Sequence, residues 1–534
     1  MINKSLFPAV ASCVLLVLAP AAAQDNSNGA PDMIPTTSPN LQYYYPVPTA
    51  NPPQTIEADV CVYGGTSGGV VAAIQAHRMG KRTVLVEFSK HVGGLTSGGL
   101  SATDGGGKDV CGGIAREFYA RVGQAGFRPS AAEKAFRDML AAEGVALYTE
   151  HRLKSVKMDG ARISEIVMEN GNIFRAKEFI DATYEGDLMA RAGISYFVGR
   201  EGNAKYGETI DGAWCGGGHN FRVPVDPYVI EGDPRSGLLP EISAADPGKK
   251  GDGDKRIQAY CFRMRLTRDP ANRLPFPRPR NYDPKRYALL ARYLNQMPEG
   301  KRGFMPSGDV NNHHLGDGAF FIDYVGGSDA WPDGDYETRE RVFQAHVTYQ
   351  QGVMYFLAND TSVPEEIRSA LQKWGLPKDE YQETGGWTHQ LYIREGRRMI
   401  SATVMTEHNC RGTEVAADSI GLASYNMDSH HCQRVVVNGH VVNEGNVEVA
   451  PKHPYPIAYR AIVPKEAECS NLLAPLCLSS SHIAYGSIRM EPVFMVLGQS
   501  AATAAALAID DKVPVQKVDY GKLRARLLAD HQIL

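Results

Sequence analysis

Residues 59–94, DVCVYGGTSGGVVAAIQAHRMGKRTVLVEFSKHVGG, leave a chain few ways to fold. An apolar run, Val60 to Tyr63, enters a glycine turn, a small-residue helix is expected over residues 68–79, and a second apolar run from Thr83 ends at the carboxylate Glu87. This is the order of a βαβ dinucleotide-binding unit, in which glycine lets backbone amides approach a pyrophosphate and the following helix turns its unpaired N–H groups and positive dipole end toward the phosphates. Gly64, Gly65, Thr66, Ser67 and Gly68 form the expected cradle, and a side chain at Gly68 is expected to fill the pyrophosphate space. Glu87 stands 19 residues beyond Gly68 (68 to 87), where an acid is expected on the adenosine ribose. Aligning Gly65 and Gly68 with the second and third glycines of the usual fingerprint puts Tyr63 where the first belongs, so the turn alone fits any glycine-rich βαβ unit.

Three further segments narrow the dinucleotide to FAD. The doublet Gly93-Gly94 follows shortly after Glu87, a feature of FAD domains of the glutathione reductase type rather than of NAD-only domains. Over residues 145–183 short apolar strands alternate with Asp159-Gly160 and Asn170-Gly171, a hairpin meander that returns to a buried strand ending in Asp181-Ala182-Thr183. Near the C-terminus NLLAPLCLSSSH leads through RMEP, with Glu491, into a small-residue helix expected over 493–509. Such a helix brings a second N-terminus to the flavin's pyrimidine edge, where negative charge appears on reduction.

In VYGGTSGG, HVGGLTSGGLSATDGG, GGIAREFY, FIDATYEGDLMARAG, LYIREGRRM, SYNMDSHH, VNEG, YPIAYRAIVPK and SSSHIAYGSIRMEPVFMVLGQSA the chain resembles the bacterial FAD-dependent oxidoreductases, some of which carry a loose xanthan lyase label. The resemblance covers roughly residues 58–527. It implies an α/β fold with a Rossmann-like FAD domain of the glutathione reductase type, an inserted substrate or cap domain, FAD held covalently or noncovalently, and redox chemistry, but no substrate. It also places Ser481 and Glu491 at the flavin beside Ala182, Thr183, Gly93 and Gly94. The sequence departs from the family at Ser500-Ala501-Ala502, where a glycine is expected in the C-terminal helix.

A chain of 534 residues that is 43% hydrophobic exceeds most single domains, so two are expected. Residues 1–23 read as a secretory leader with Ala21-Ala22-Ala23 before the cleavage point, which makes the mature protein periplasmic or secreted. Residues 24–57 read as a Pro/Ser/Asn-rich flexible linker, 58–198 as the first part of the FAD domain, 199–392 as the cap and 393–534 as the return segment. Net charge is −4, or −5 once Lys4 leaves with the leader, and no basic stripe interleaves with aromatics, so nucleic acid is not expected as a partner. The leader's apolar stretch is too short to span a bilayer and no other apolar run of that length is read, so no integral span is expected. No cysteine or histidine spacing suggests a metal. Cys469 and Cys477 are expected as buried thiols.

Hydride transfer to a flavin needs an oriented C–H bond and a base for the neighbouring O–H or N–H. Arg394, Arg397 and Arg398 would share a face if their segment were helical, and they suit an anionic substrate, the reduced ring or the pyrophosphate, or else a solvated ion-paired face with Glu395. His430, two residues after Asp428, and His482, between the C-terminal strand and helix, are the candidate bases, with Tyr425 and Glu491 next. His313-His314 reads as cap or substrate-contact surface. The substrate is expected to be a polar small molecule or saccharide, and the electron acceptor is open, although the absence of a second glycine-rich βαβ unit argues against direct reduction by NAD(P)H. The alternative is a carbohydrate-active lyase or binding protein that uses flavin structurally or transiently.

Overall fold

Nine strands frame the site: β1 (Thr55–Glu57), β2 (Val60–Tyr63), β3 (Thr83–Val86), β4 (Ala146–Tyr148), β5 (Leu153–Asp159), β6 (Arg162–Met168), β7 (Ile173–Arg175), β8 (Glu178–Asp181) and β9 (Leu472–Leu473). Every residue of β2, β3 and β8 is buried. They lie at the centre of a five-stranded parallel sheet in the order β9-β8-β2-β3-β4. Strands buried along their whole length belong to a sheet covered on both faces. The computed structural model describes residues 38, 40–102, 110–280, 282–302, 306, 308–310, 318–320 and 322–534; the expected leader and His313-His314 lie outside them.

One face of the sheet carries α1 (Ser67–Arg78), crossed closely by α6 (Glu491–Asp511), with α2 (Gly113–Val122) and α3 (Pro129–Glu143) packed beyond. α6 begins two residues before the expected 493 because Pro492 sits in its first turn, where a missing N–H breaks no helical bond. A short helix not foreseen in the sequence, α5 (His482–Ile488), precedes it. Among the described residues α6 is the helix long and apolar enough to cross a membrane, and 89% of its most apolar window is buried in the molecule.

The second sheet is the meander β5-β6-β7, closed by β1 running parallel to β7. β4, read as part of the meander, is the edge of the parallel sheet instead. The described part of the expected linker also differs from expectation: β1 is sheet, Leu41 is fully buried, and Tyr43 packs on Phe88 and Trp331. The tyrosine run Tyr43-Tyr44-Tyr45 gives this otherwise polar segment enough apolar surface to dock.

In the region read as the cap, α4 (Tyr336–Asn359) is capped by Asp335, whose side chain accepts from the Thr338 N–H. Its apolar residues join the same buried cluster as the parallel sheet: Phe343, Val347 and Met354 lie in one core with Val60, Leu85 and Ile180. The eight described cysteines are all buried, and Cys469 and Cys477 are buried thiols as expected.

Candidate functional site

The register of the parallel sheet brings Tyr63, Val86 and Asp181 to one level, so the residues that follow them, Gly64, Glu87 and Ala182-Thr183, open together at the carboxyl ends of three strands. Ligands of open α/β sheets bind at that edge. Gly64 N–H donates to Val86 O at 2.8 Å and Ala182 N–H to Tyr63 O at 2.7 Å, which locks the turn to its neighbours.

The geometry corrects the glycine register. Gly64 has φ +107°, and a Cβ on it would stand 2.6 Å from the Ala182 carbonyl carbon. Gly69 touches Gly64 O at 1.8 Å from its would-be Cβ, the close helix–strand contact that the third fingerprint glycine permits. Gly64 and Gly69 are therefore the first and third glycines, Thr66 occupies the second position, and Tyr63 is simply the last residue of β2. Thr66 caps α1, accepting from Gly69 N–H at 3.2 Å and donating to Ala182 O at 2.7 Å. Gly68 does not face the pyrophosphate space as expected: its Cβ would meet the Phe494 carbonyl oxygen at 2.7 Å, so it makes room for α6. Gly65 is the glycine whose Cβ would point at Glu87, at 3.0 Å.

These residues floor a cleft whose void, mouth included, is about 980 Å³, at the upper end of the range for cofactor sites. Gly64, Gly65, Thr66, Glu87, Gly94 and Thr183 line it as expected. Ser67, Gly68, Gly93, Ala182, Ser481 and Glu491 do not. Gly93 N–H donates to Gly65 O at 2.7 Å, and Ser481 caps α5 and donates to Glu208 at 2.6 Å. Glu491 is buried at the start of α6, where Thr96 and Tyr184 hydroxyls donate to it at 2.6 and 2.8 Å, and burial raises its pKa. Glu87 accepts from the N–H groups of Gly65 and, at 2.7 Å, Ser89.

The rest of the lining was not legible in the motifs: Trp331, Glu383, His389 and Gln390, Tyr184, Glu185 and Asp187, and Asn40, Gln42, Tyr43 and Tyr45. His389 stacks on His91 with ring centroids 3.6 Å apart, and burial pushes its pKa well down. His91 sits between Glu133 at 3.0 Å and Glu383 at 2.7 Å. Burial acts against ionising Glu133, but His91 and Arg137 hold its pKa down to about 2. Burial raises the pKa of Glu185, an effect that Arg339 opposes and the neighbouring Asp187 reinforces. Asp187 is buried as well, yet Arg339 at 2.6 Å and Arg397 at 2.8 Å keep it ionised.

The four candidate catalytic residues come together, but not at the cleft. The arginine segment is not helical: it runs between short strands Leu391–Tyr392 and Arg398–Met399, and Gly396 passes so near Tyr184 that a Cβ would stand 2.3 Å from its carbonyl oxygen. Each arginine therefore finds its own carboxylate. Arg394 pairs with Asp323 at 2.9 Å, and Arg398 with Glu201 and Glu395, each at 2.8 Å. His482 Nδ1 lies 2.7 Å from Glu395 and its Nε2 3.0 Å from the Ser429 hydroxyl; burial opposes its charge, but Glu395 prevails and its pKa is raised. His430 Nδ1 lies 2.7 Å from Asp323, and Asp428, the partner expected from sequence, is farther at 3.5 Å. Gln258 joins the two histidines, donating to Glu395 at 2.9 Å and accepting from His430 N–H at 3.2 Å. None of His430, His482, Arg394 and Arg398 is among the cleft-lining residues. Among the described residues no group of three or more His, Cys, Asp or Glu side chains is arranged to hold a metal ion.

A strained glycine turn under a capped helix N-terminus, an acid one strand away and a cleft of this size together fit an adenine dinucleotide. No curated protein matches the chain. Among solved structures, a flavin-containing monooxygenase from Stenotrophomonas maltophilia is 17% identical over 28% of this chain and 43% of its own, with a TM-score of 0.20. A geranylgeranyl bacteriochlorophyll reductase-like protein from Thermoplasma acidophilum is 20% identical over 26% and 43%, TM-score 0.21. The 3-ketosteroid-delta4-(5alpha)-dehydrogenase from Rhodococcus jostii RHA1 is 15% identical over 26% and 50%, TM-score 0.19. The chain spans half or less of the length of these structures. The FAD dependent oxidoreductase family model matches residues 59–527, from the strand before the glycine turn to near the C-terminus, so the chain belongs to that family and its cofactor is FAD.

Proposed function

We propose that the protein is an exported oxidoreductase that moves a hydride from a polar small molecule or saccharide to FAD, with residues 199–392 shaping the substrate side. The observation that carries this reading is the composition of the cleft, which joins the nucleotide turn to Trp331, Glu383, His389 and Gln390 from the region read as the cap. Bound FAD supplies a two-electron acceptor. The chain must orient the donor bond, exclude water and take up a proton.

Glu185 suits the last task. It lines the cleft, accepts a hydrogen bond from Trp331 Nε1 at 3.3 Å, and has a pKa raised by burial, so its proton exchanges nearer neutrality than an ordinary carboxyl's. His430 and His482, paired with Asp323 and Glu395 in the interior, fix the segments around Gln258 and Arg394 rather than abstract a proton.

Anaerobic bleaching of the flavin against a panel of sugars, amines and organic acids identifies the substrate class. With a substrate in hand, Glu185→Gln should slow flavin reduction by roughly 10²–10⁴ while FAD stays bound. An unchanged rate removes Glu185 from the mechanism, and no bleaching by any member of the panel counts against the substrate class.

A further inference from the structure

Residues 40–45 precede both the family match and the first strand, yet Asn40, Gln42, Tyr43 and Tyr45 line the cleft. They are fixed from two sides. Toward the cap, the Tyr43 and Tyr44 N–H groups both donate to Glu340 Oε2, at 2.7 and 2.8 Å, and Gln344 on the same helix donates to Leu41 O at 2.8 Å. Asn40 donates to Glu383 O at 3.1 Å. Toward the nucleotide domain, Tyr43 stacks on Phe88, the residue after Glu87, at 4.7 Å and 22°. The Tyr45 ring carries the Arg152 guanidinium at 4.2 Å, and its hydroxyl donates to Glu150 at 3.0 Å. Leu41 is fully buried. Beyond the segment, Ala50 N–H donates to Asn170 O at 2.8 Å and β1 is paired into its sheet, so movement at 40–45 requires lifting rather than sliding.

We propose that residues 40–45 are a strap that closes the adenosine end of the FAD site. The proposal rests on the FAD reading of the cleft. Glu87 and Phe88 follow the end of β3, where the adenosine would be held, and the strap crosses that end while its Tyr43 and Tyr44 amides bind Glu340 of α4. FAD leaves only after the Glu340 and Phe88 contacts are broken, and bound FAD keeps the strap seated.

The test uses full-length holoprotein and two readouts that do not require turnover. The first is FAD release, followed by the recovery of flavin fluorescence on dilution. The second is cleavage by a protease that cuts after aromatic residues, mapped within 40–46 in apoprotein and holoprotein. Tyr43→Ala and Glu340→Ala should each speed release by about tenfold or more, equivalent to ~1.4 kcal/mol. Tyr43→Phe, which keeps the ring, should retain slow release, and the apoprotein should be cut in the strap faster than the holoprotein. Wild-type release from both alanine variants, or equal cutting with and without FAD, overturns the strap. If the variants do not fold, the protease comparison on wild-type protein decides. A wild-type protein that takes up no FAD at all would instead defeat the underlying reading of the cleft.

Discussion

Alanine at Gly498 should weaken the molecule even though it improves the helix. α6 crosses α1 backbone against backbone: a Cβ on Gly498 would fall 2.1 Å from the Gly68 carbonyl oxygen, and one on Gly68 2.7 Å from the Phe494 carbonyl oxygen. Real Cβ atoms do not come within 3.0 Å of such neighbours, so the helices must part by about 1 Å. Glycine to alanine within a helix ordinarily gains about 1 kcal/mol. Overfilling a packed interior costs about 1–3 kcal/mol, and a clash with backbone on both sides belongs at the upper end, leaving a net loss of about 2 kcal/mol. The shift falls on the first turn of α1, whose amides the proposed FAD site assigns to the pyrophosphate, and displacement on that scale should weaken FAD binding by about tenfold or more. Thermal unfolding of apoprotein measures the first effect, and fluorescence titration with FAD the second. A Gly498→Ala protein that melts as high as wild type and binds FAD equally well would refute the reasoning.

Glu178 is buried 3.6 Å from Arg162 with its Oε2 lacking a hydrogen-bond partner, and burial pushes its pKa up from 4.5 to about 8. A raised carboxyl pKa contributes stability that is complete below the unfolded value and lost as pH rises through the folded one, so Glu178→Gln should flatten the fall in melting temperature between about pH 5 and 8; an unaltered profile contradicts this. Glu395→Ala leaves His482 and Arg398 without a shared buried carboxylate and should cost about 3–5 kcal/mol in chemical denaturation, with a loss below about 1 kcal/mol opposing that role. If residues 1–23 direct export, intact mass of protein from the periplasm or medium should begin at Gln24, and a full-length soluble product would argue otherwise.

The parts of the fold that repeat a local rule were legible in the sequence. Val60–Tyr63 and Thr83–Val86 are strands as expected because unbroken apolar tetrapeptides beside a glycine turn have little choice. The phosphate turn was found one residue out of register, because four glycines in six positions look alike until φ at Gly64 and the approach of Gly69 tell them apart. Much of the cleft lining was hidden because Trp331, Glu383 and His389 reach it from distant points in the chain, each without a motif of its own. The arginine cluster misled for a related reason. Spacing at 394, 397 and 398 suggests one helical face, but Gly396 and the partners Asp323, Asp187 and Glu201, all remote in sequence, draw the side chains apart. His430 and His482 were found as a pair of unusual histidines, but their carboxylate partners Asp323 and Glu395, remote in sequence, hold them in the interior away from the cleft.

The claim that the cleft holds FAD through the residues 64–69 turn is tested most directly by the flavin content of protein purified without added cofactor. Heat-released flavin, identified by mass and quantified against protein, should be FAD at one per chain in the wild type and close to none in Gly65→Trp, whose side chain would project toward Glu87. Circular dichroism confirms that the variant remains folded. Stoichiometric FAD in Gly65→Trp, or a folded wild type that neither carries nor takes up FAD, would contradict the account.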